Sequence, residues 1–495
     1  MKHIFISFVL SLSVLVSACG DFLEEESQSE VIPESASDFS ELLLGSGYPT
    51  TSSKGGPDFS FIAMMDDDCS FFLNFLNWDG TADYFVESST AVTYYPIYTW
   101  QPSLADYDGY GNAINESPSS TVYAQFYERI LGCNAVLDYI DKAVGGQEKI
   151  NRVKAEALAV RALLYFQLVN IYGEPYNYNK DALGVPAKLT ADLADEPIGR
   201  ATVQYIYEEI IVKGLVEAAL LMDPLEIVRQ NYRINQPAIH ILLSRVYLYM
   251  ERYQDCIKEV ENALKQGAVL LDMVNSLGTI ATGTSYNPIS YDNPEVEWLF
   301  GACVIPGGNY DAFNPATSEE FQALWDKVND QRYLAFALAP GNSDNVVYIS
   351  KPTSNYDLGQ SVRTAEAYLN RMEAYALSGE DQLALSELNA FRKKRIIGYS
   401  DQNYSGQELL SQIRLERRKE LCYEGHRWFD LRRYGMPAIK HQYKYEKGGA
   451  LYEFVLEEKD PMYTVPFPTC LFEKNTLLKQ NDSRNESERQ GNIID

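Results

Sequence analysis

The chain has 495 residues and a formal net charge of −27 at pH 7. Its length allows a large core and, at roughly 150 residues per domain, two or three units. Because an acidic surface repels phosphate backbones, the charge argues against nucleic acid as a partner. Tyrosine is plentiful, at 36 residues, and it suits binding surfaces that face water because its ring is apolar and its hydroxyl is polar.

The N-terminus carries the pattern of a secretory signal. Lys2 gives a basic start, residues 4–16 are almost wholly apolar, and small residues precede Cys19. The apolar run is shorter than the roughly 20 residues that span a bilayer. A cysteine after a small-residue cleavage site resembles a bacterial lipobox, which implies that residues 1–18 are removed and that Cys19 is acylated. The alternative is an ordinary secretory signal followed by an unrelated cysteine.

Residues 19–32 are polar and acidic, and we interpret them as a tether between a membrane and the folded body. Two or three acyl chains on Cys19 would hold the mature protein on that membrane, since each buried methylene contributes about 0.8 kcal/mol. The body itself is predicted over residues 33–482.

Most of the body shows helical periodicity, with apolar residues three or four apart. Helices are predicted over 119–144 and, after a short glycine turn, from Val153 to a stop at Gly173. Thr202 is predicted to cap a further helix, and residues 235–267 indicate a helix pair that resembles a degenerate tetratricopeptide repeat. Another pair is predicted over 364–395, and a capping box at residues 405–408 is predicted to begin the next helix. These segments form paired helices within 119–175, 200–267 and 362–435.

Two long stretches, 51–118 and 268–361, lack this periodicity and are rich in Gly, Ser, Asp, Asn and aromatic residues. Loops of this length are usually functional or disordered, and the aromatic content argues against disorder. We therefore predict that these loop-rich insertions form the ligand face. Residues 66–68, three consecutive aspartates, partly mimic a calcium loop but lack its spaced ligands, so a solvated loop is predicted there.

The residue patterns of common enzymes are missing from the sequence. His240, His426 and His441 lie in three separate segments after the signal, and no zinc-protease helix, nucleophile elbow or phosphate loop is present. The 69 acidic residues leave room for a glycosidase-like carboxylate pair. Six cysteines besides Cys19 are scattered and indicate neither a zinc site nor a disulfide framework. We predict a protein that is not an enzyme and needs no cofactor or metal.

Four blocks of sequence carry a family resemblance. The most specific is residues 414–435, RLERRKELCYEGHRWFDLRRYG, and the others are 154–175, 365–392 and 477–482. Together with the lipobox they resemble the SusD/RagB family of outer-membrane nutrient-binding lipoproteins, although Asp482 stands where a proline is usual. The resemblance implies a mainly α, SusD-like fold with tetratricopeptide-like pairs. It also implies a surface-facing, outer-membrane protein that partners a SusC-like TonB-dependent transporter.

The 414–435 block also has a physical interpretation of its own. Basic and acidic residues alternate at helical spacing, so Glu416 and Glu420 are predicted to meet basic neighbours one turn away. Trp428 and the apolar residues after it are predicted to anchor the helix in the core, with His426 packed or hydrogen-bonded. The alternative is a basic patch that faces a partner.

The candidate ligand-binding residues are aromatic, because flat rings can cover the C–H faces of sugars. Each of them could instead belong to the core, and peptide is the alternative ligand. A third possibility is a scaffold that binds only other proteins. The candidates are Trp78, Tyr94, Tyr95, Tyr98, Trp100, Tyr107 and Tyr110 in the first insertion and Tyr310 and Phe313 in the second.

Overall fold

The computed structural model of the protein describes most of the body predicted from sequence. The signal segment, Cys19 and the tether lie outside the described residues. The described residues are 33–51, 56–58, 60–70, 74–76, 82–84, 89–107, 121–192, 196–230, 232–276, 288–302, 316–340, 347–349, 358–445 and 449–494.

The fold is mainly α-helical, as the sequence predicted. A π-helical turn, Ile206–Val212, joins α6 to α7 into one continuous helical segment. No helix among the residues just given is long and apolar enough to cross a bilayer. The helices are α1 Ala36–Leu42, α2 Ser89–Tyr98, α3 Val122–Leu137, α4 Gln147–Tyr172, α5 Tyr176–Asn179, α6 Val203–Tyr205, α7 Lys213–Met222, α8 Gln236–Tyr249, α9 Tyr253–Lys265, α10 Met273–Ser276, α11 Glu319–Ala323, α12 Gln331–Phe336, α13 Thr364–Leu377, α14 Asp381–Lys393, α15 Gly406–Glu420 and α16 Arg427–Arg433.

The predicted helix pairs are present and pack on one another. Helix α4 packs against α3 and α7, and α9 packs against both α8 and α13. Polar bonds reinforce this packing, since Asn370 Nδ2 donates to Ser244 Oγ at 2.9 Å between α13 and α8. The predicted caps also form: the hydroxyl oxygens of Thr121 and Thr202 accept from backbone N–H groups in the first turns of α3 and α6.

The start of α15 differs from the prediction of a capping box. Ser405 is the N-cap residue, but its side chain makes no capping hydrogen bond. Instead, the amide of Gly406 donates to Asp381 Oδ2 at 2.7 Å, so a carboxylate from α14 satisfies this helix end. A partner from another helix has therefore replaced the local one.

The 414–435 block is buried, as predicted, and Glu416 and Glu420 form their ion pairs with arginines outside it. Glu420 pairs with Arg363 at 2.6 Å and with Arg395 and Arg332 at 3.0 Å, and all four side chains are almost fully buried. Glu416 pairs with Arg332 and Arg392, each at 2.6 Å, so the expectation of basic partners one turn away is wrong for Glu420 and holds only in part for Glu416. Burial opposes the charge on Glu416, and Arg332 and then Lys419, one turn along the helix, lower its pKa. Buried charges of this kind are tolerated only when they are paired.

The insertions contain more regular structure than the sequence indicated. Helix α2 lies within the first insertion, although Pro96 interrupts its sequence. Short antiparallel ladders lie in both insertions, and the longest antiparallel pair, β11–β12, follows the 414–435 block. The strands are β1 Cys69–Ser70, β2 Asn74–Leu76, β3 Ala82–Tyr84, β4 Leu183–Pro186, β5 Arg200–Thr202, β6 Val296–Phe300, β7 Ala316–Thr317, β8 Ala337–Pro340, β9 Val347–Ile349, β10 Gln360–Arg363, β11 Ile439–Lys444, β12 Leu451–Leu456 and β13 Asn492–Ile493.

Candidate functional site

The C-terminal hairpin, β11 and β12, covers α2 with an aromatic face. Along β11, Ile439, His441 and Tyr443 are buried while the residues between them are exposed, as the period of two in a strand requires. Tyr443 lies opposite Tyr452 on β12, and His441 lies opposite Phe454. Residues directly opposite in a ladder share a face, so these rings all point toward α2.

His441 joins the hairpin to the end of α2. Its imidazole stacks between the rings of Tyr98 and Trp100, with centroids 4.1 Å from each. Nδ1 lies 2.7 Å from the carbonyl oxygen of Tyr98, and Nε2 lies 2.9 Å from that of Asp66. Burial lowers the pKa of His441 to about 4, and the two carbonyls oppose that shift. Both contacts are hydrogen bonds at once only in the doubly protonated ring.

At the outer end of the same face, rings reach the surface in a tyrosine cluster, which we define as Tyr95, Tyr443, Tyr445 and Tyr452. Tyr445 is 49% exposed, and Tyr95 on α2 is half-buried. Their hydroxyl oxygens lie 3.1 Å apart, within hydrogen-bond distance, and their ring centroids are 5.6 Å apart. Tyr445 also meets Tyr452 edge-on at 5.0 Å. The cluster therefore brings Tyr445, with parts of Tyr95 and Tyr452, to the surface beside the buried ring of Tyr443.

The C-terminal tail braces this cluster through one amide side chain. Gln101 Nε2 donates to the Tyr95 hydroxyl at 3.3 Å and to the carbonyl of Arg489 at 3.0 Å. The Arg489 amide donates back to Gln101 Oε1 at 2.9 Å.

Burial, with a contribution from Tyr445, raises the pKa of Tyr443 to about 12, so its hydroxyl stays protonated at neutral pH.

The three aspartates at 66–68 are not the solvated loop that the sequence predicted. Asp66 and Asp68 are buried, and carboxylate oxygens of all three lie within 4.8 Å of one another. Such a group could hold a cation, but Arg427 binds Asp67 through two bonds of 2.6 and 2.7 Å, and Arg418 binds Asp68 at 2.6 Å. These guanidiniums supply the positive charge that a cation would bring. The aspartates therefore tie the first insertion to the 414–435 block.

Burial raises the pKa of Asp68, although Arg418 opposes that shift. Asp66 behaves in the same way. Burial, together with the negative charges of Asp68 and Asp67, raises its pKa well above the usual value. Asp67 shows the opposite behaviour: burial would raise its pKa, but Arg427 and Arg418 lower it.

Three of the predicted ligand-binding residues are core residues, so placing them on an exposed platform was wrong. The side chains of Tyr94, Tyr98 and Trp100 are 5%, 1% and 0% exposed. Tyr94 and Tyr98 are four residues apart on α2 and share its inner face. Trp100 Nε1 donates to the carbonyl of Met65 at 3.0 Å, which fixes the indole in the interior.

The remaining candidates have different positions. Tyr95 lies in the tyrosine cluster, and Tyr107 is partly buried against the core after a short 3-10 helix, Leu104–Asp106. The other four candidates, Trp78, Tyr110, Tyr310 and Phe313, lie outside the described residues.

The hairpin tyrosines, Tyr443, Tyr445 and Tyr452, are not among the binding residues predicted from the sequence. The signal was available, because aromatic rings alternate with polar residues at His441, Tyr443 and Tyr445 and again at Tyr452 and Phe454. Nothing local indicated that this hairpin would pack on α2, since the two segments stand far apart in the chain.

Two family models match the chain. One is described as starch-binding and associating with the outer membrane and matches residues 57–248; the other is described as the SusD family and matches residues 345–483. A search of the curated proteins finds no match.

Solved structures share the fold over nearly its whole length. A SusD superfamily protein from Bacteroides thetaiotaomicron is 21% identical, with a TM-score of 0.67 over 90% of this chain and 99% of the other. A SusD-like carbohydrate binding protein from Bacteroides vulgatus is also 21% identical, with a TM-score of 0.65 over 90% and 97%. A laminarin binding SusD-like protein is 20% identical, with a TM-score of 0.60 over 90% and 98%.

The paired helices, the buried 414–435 block and these matches agree on the class of protein. The chain belongs to the SusD/RagB family.

Proposed function

We propose that this protein is a lipid-anchored, surface-facing glycan-binding protein of the outer membrane. It captures oligo- or polysaccharide and delivers it to a SusC-like TonB-dependent transporter, and it performs no chemistry on the ligand. Acyl chains on Cys19 hold it to the membrane, and the tether of residues 19–32 separates the anchor from the folded body.

The observation that carries this proposal is the tyrosine cluster at the surface. A sugar ring exposes a patch of C–H groups, and an aromatic ring that is already held in place covers that patch at little entropic cost. The hydroxyls of Tyr95 and Tyr445 stand beside the rings and can bond sugar hydroxyls. By analogy with aromatic pairs, each stacked ring contributes on the order of 1 kcal/mol.

Several further residues belong to the proposed binding face. Tyr107, in the first insertion, is partly buried. Four more aromatic residues are proposed for the same face from the sequence alone: Trp78, Tyr110, Tyr310 and Phe313. Several rings in one surface would give weak, additive recognition of a polymer rather than tight binding of one sugar.

Glycan is favoured over peptide by the family and by its solved members. One model that matches this chain is described as starch-binding, and two of the similar structures are named as carbohydrate and laminarin binders. Peptide recognition usually depends on backbone hydrogen bonding along a strand or groove, whereas the surface feature found here is aromatic.

A binding screen separates the alternatives. The chain from residue 19 onward, with Cys19→Ser so that it stays soluble, is tested against an oligosaccharide library and a peptide library. We expect retention of oligosaccharides with dissociation constants of roughly 10 μM to 1 mM. Binding to peptides alone would indicate a peptide-uptake protein, and binding to neither library would indicate a scaffold; either result would contradict the proposal.

The transporter is tested separately, in membranes extracted with mild detergent. The tagged protein, expressed at its native level, is expected to co-purify with an outer-membrane barrel of SusC type. Recovery of the protein alone, with the transporter present in the extract, would contradict this part of the proposal.

A further inference from the structure

An apolar groove of about 590 Å³ lies beside the first described residues of the chain. Helix α1 forms one wall with Phe39 and Leu42, and the segment after α3 forms the other. On that second wall Tyr139 is 58% exposed and Val144 is 72% exposed. Exposed apolar side chains around a concave surface commonly mark a site that another group covers.

The backbone shows which way the chain approaches this groove. Ser35 and Val144 form a parallel β-bridge, in which the Val144 amide donates to the Glu34 carbonyl at 2.8 Å and the Ala36 amide donates to the Val144 carbonyl at 2.9 Å. In a parallel pair both segments run in the same direction. The first described residue, Pro33, therefore lies on the side of Val144 that leads back to Ala143 and Lys142.

The direction of entry is fixed firmly at Ser35. Its hydroxyl accepts from the amide of Asp38 at 3.2 Å, and its own amide donates to Asp38 Oδ2 at 2.8 Å, which completes a capping box on α1. Pro33 and Glu34 themselves line the groove. The first described residues of the chain are thus part of the groove wall.

The residues directly before Pro33 have the composition that such a groove would accept. Val31 and Ile32 are a branched apolar pair at the end of an otherwise acidic segment, and Glu30 precedes them. Lys142 stands on the rim of the groove, where it can meet that carboxylate. We propose that Val31 and Ile32 of the chain's own tether fill this groove, with Glu30 beside Lys142.

Docking would shorten the free tether. If Cys19 carries the anchor, which rests on the proposed function, only residues 19–30 separate the membrane from the docked segment. Their fully extended reach is roughly 40 Å. Docking would thus fix the point beside α1 at which the free tether leaves the fold.

Cleavage by a glutamate-specific protease tests the docking. The chain from residue 19 onward, with Cys19→Ser, offers sites after Glu24, Glu25 and Glu26 and a further site after Glu30. We expect cleavage after Glu30 to be at least about tenfold slower than cleavage after the other three, because a packed segment must open before it is cut. Val144→Asp should release Glu30 to cleavage, and Leu383→Asp, a matched change at a 49% exposed residue of α14, should not.

The parent and both variants contain Pro33, so a difference in their cleavage after Glu30 does not come from an effect of Pro33 on the protease. Equal cleavage after Glu30 in the parent and in both variants would overturn the proposal. It would leave glycan binding and the Cys19 anchor untouched, so the two failures are distinguishable.

Thermal unfolding and dye binding give independent checks. Ile32→Asp should lower the melting temperature by several degrees, and Ser29→Asp, which lies outside the docked pair, should leave it unchanged. An apolar reporter dye should bind a chain that begins at Pro33 and not one that begins at residue 19. Equal dye binding by the two chains would mean that the groove is open to a lipid or another ligand, and would overturn the proposal.

Discussion

The imidazole of His441 stacks on the indole of Trp100, with the ring centroids 4.1 Å apart. One residue comes from the C-terminal hairpin and the other from the end of α2. The contact is fully buried, and it holds together the two segments that build the tyrosine cluster.

His441→Ala is expected to lower the free energy of unfolding by roughly 2–4 kcal/mol. The substitution removes the stacking on Tyr98 and Trp100 and leaves one buried carbonyl oxygen without its donor. Urea unfolding followed by tryptophan fluorescence measures the change. Gln442→Ala, at the exposed neighbouring position on β11, is the control and should unfold like the parent. An equal loss of stability in both variants would show that the loss does not come from the stack.

His240→Gln should change how stability depends on pH. Burial opposes the charge on His240, but the carboxylates of Asp223 and Glu259, at 3.1 and 2.6 Å, outweigh burial and raise its pKa to about 9. The stabilisation is fully present below the unfolded pKa of roughly 6.5 and is lost as pH rises through 9. A shift of that size corresponds to roughly 3 kcal/mol.

The measurement for His240 is the urea midpoint of parent and variant between pH 6 and 9.5. The difference between the two proteins should be largest at pH 6 and should shrink toward pH 9.5. A difference that stays constant over the whole range would mean that His240 is not charged in the folded protein.

Glu420→Gln should be strongly destabilising, by roughly 3–5 kcal/mol. The variant leaves the buried guanidiniums of Arg332, Arg363 and Arg395 short of one negative charge. The melting temperature reports the loss, with Glu408→Gln at an exposed position of the same helix as the control. If the two variants have the same melting temperature, solvent or another carboxylate compensates for the lost charge.

Cys19→Ala should release the protein from the membrane or block its maturation. The expectation follows from the lipobox resemblance, because the acyl chains would be the attachment. Fractionation of cells that are labelled with a fatty acid measures both effects. A variant that still labels and still sediments with membranes would place the anchor elsewhere.

Helix positions could be predicted from sequence because their signals are local. The period of apolar residues in α3 and α4, and the capping hydroxyls of Thr121 and Thr202, depend on residues only a few positions apart. The local pattern at Ser405 predicted a capping box that does not form, because the carboxylate of Asp381 in another helix accepts from the amide at that helix end.

The candidate site could be predicted only in part, because burial depends on segments that meet in space. Residues 89–107 contain Tyr94, Tyr95 and Tyr98, and their sequence alone could not say which ring faces the hairpin and which faces solvent. Once β11 and β12 pack on α2, Tyr98 is enclosed and Tyr95 stays at the edge. The partners of Glu416 and Glu420 were missed for the same reason.

The claim that the tyrosine cluster binds glycan is checked by titration calorimetry on Tyr445→Ala. The ligand is the oligosaccharide that the parent binds best, and the control is Tyr178→Ala, which removes a similarly exposed ring (55%) from α5. We expect Tyr445→Ala to weaken binding about fivefold to tenfold without changing the melting temperature, and Tyr178→Ala to bind like the parent. Parental affinity in a folded Tyr445→Ala variant would contradict the claim.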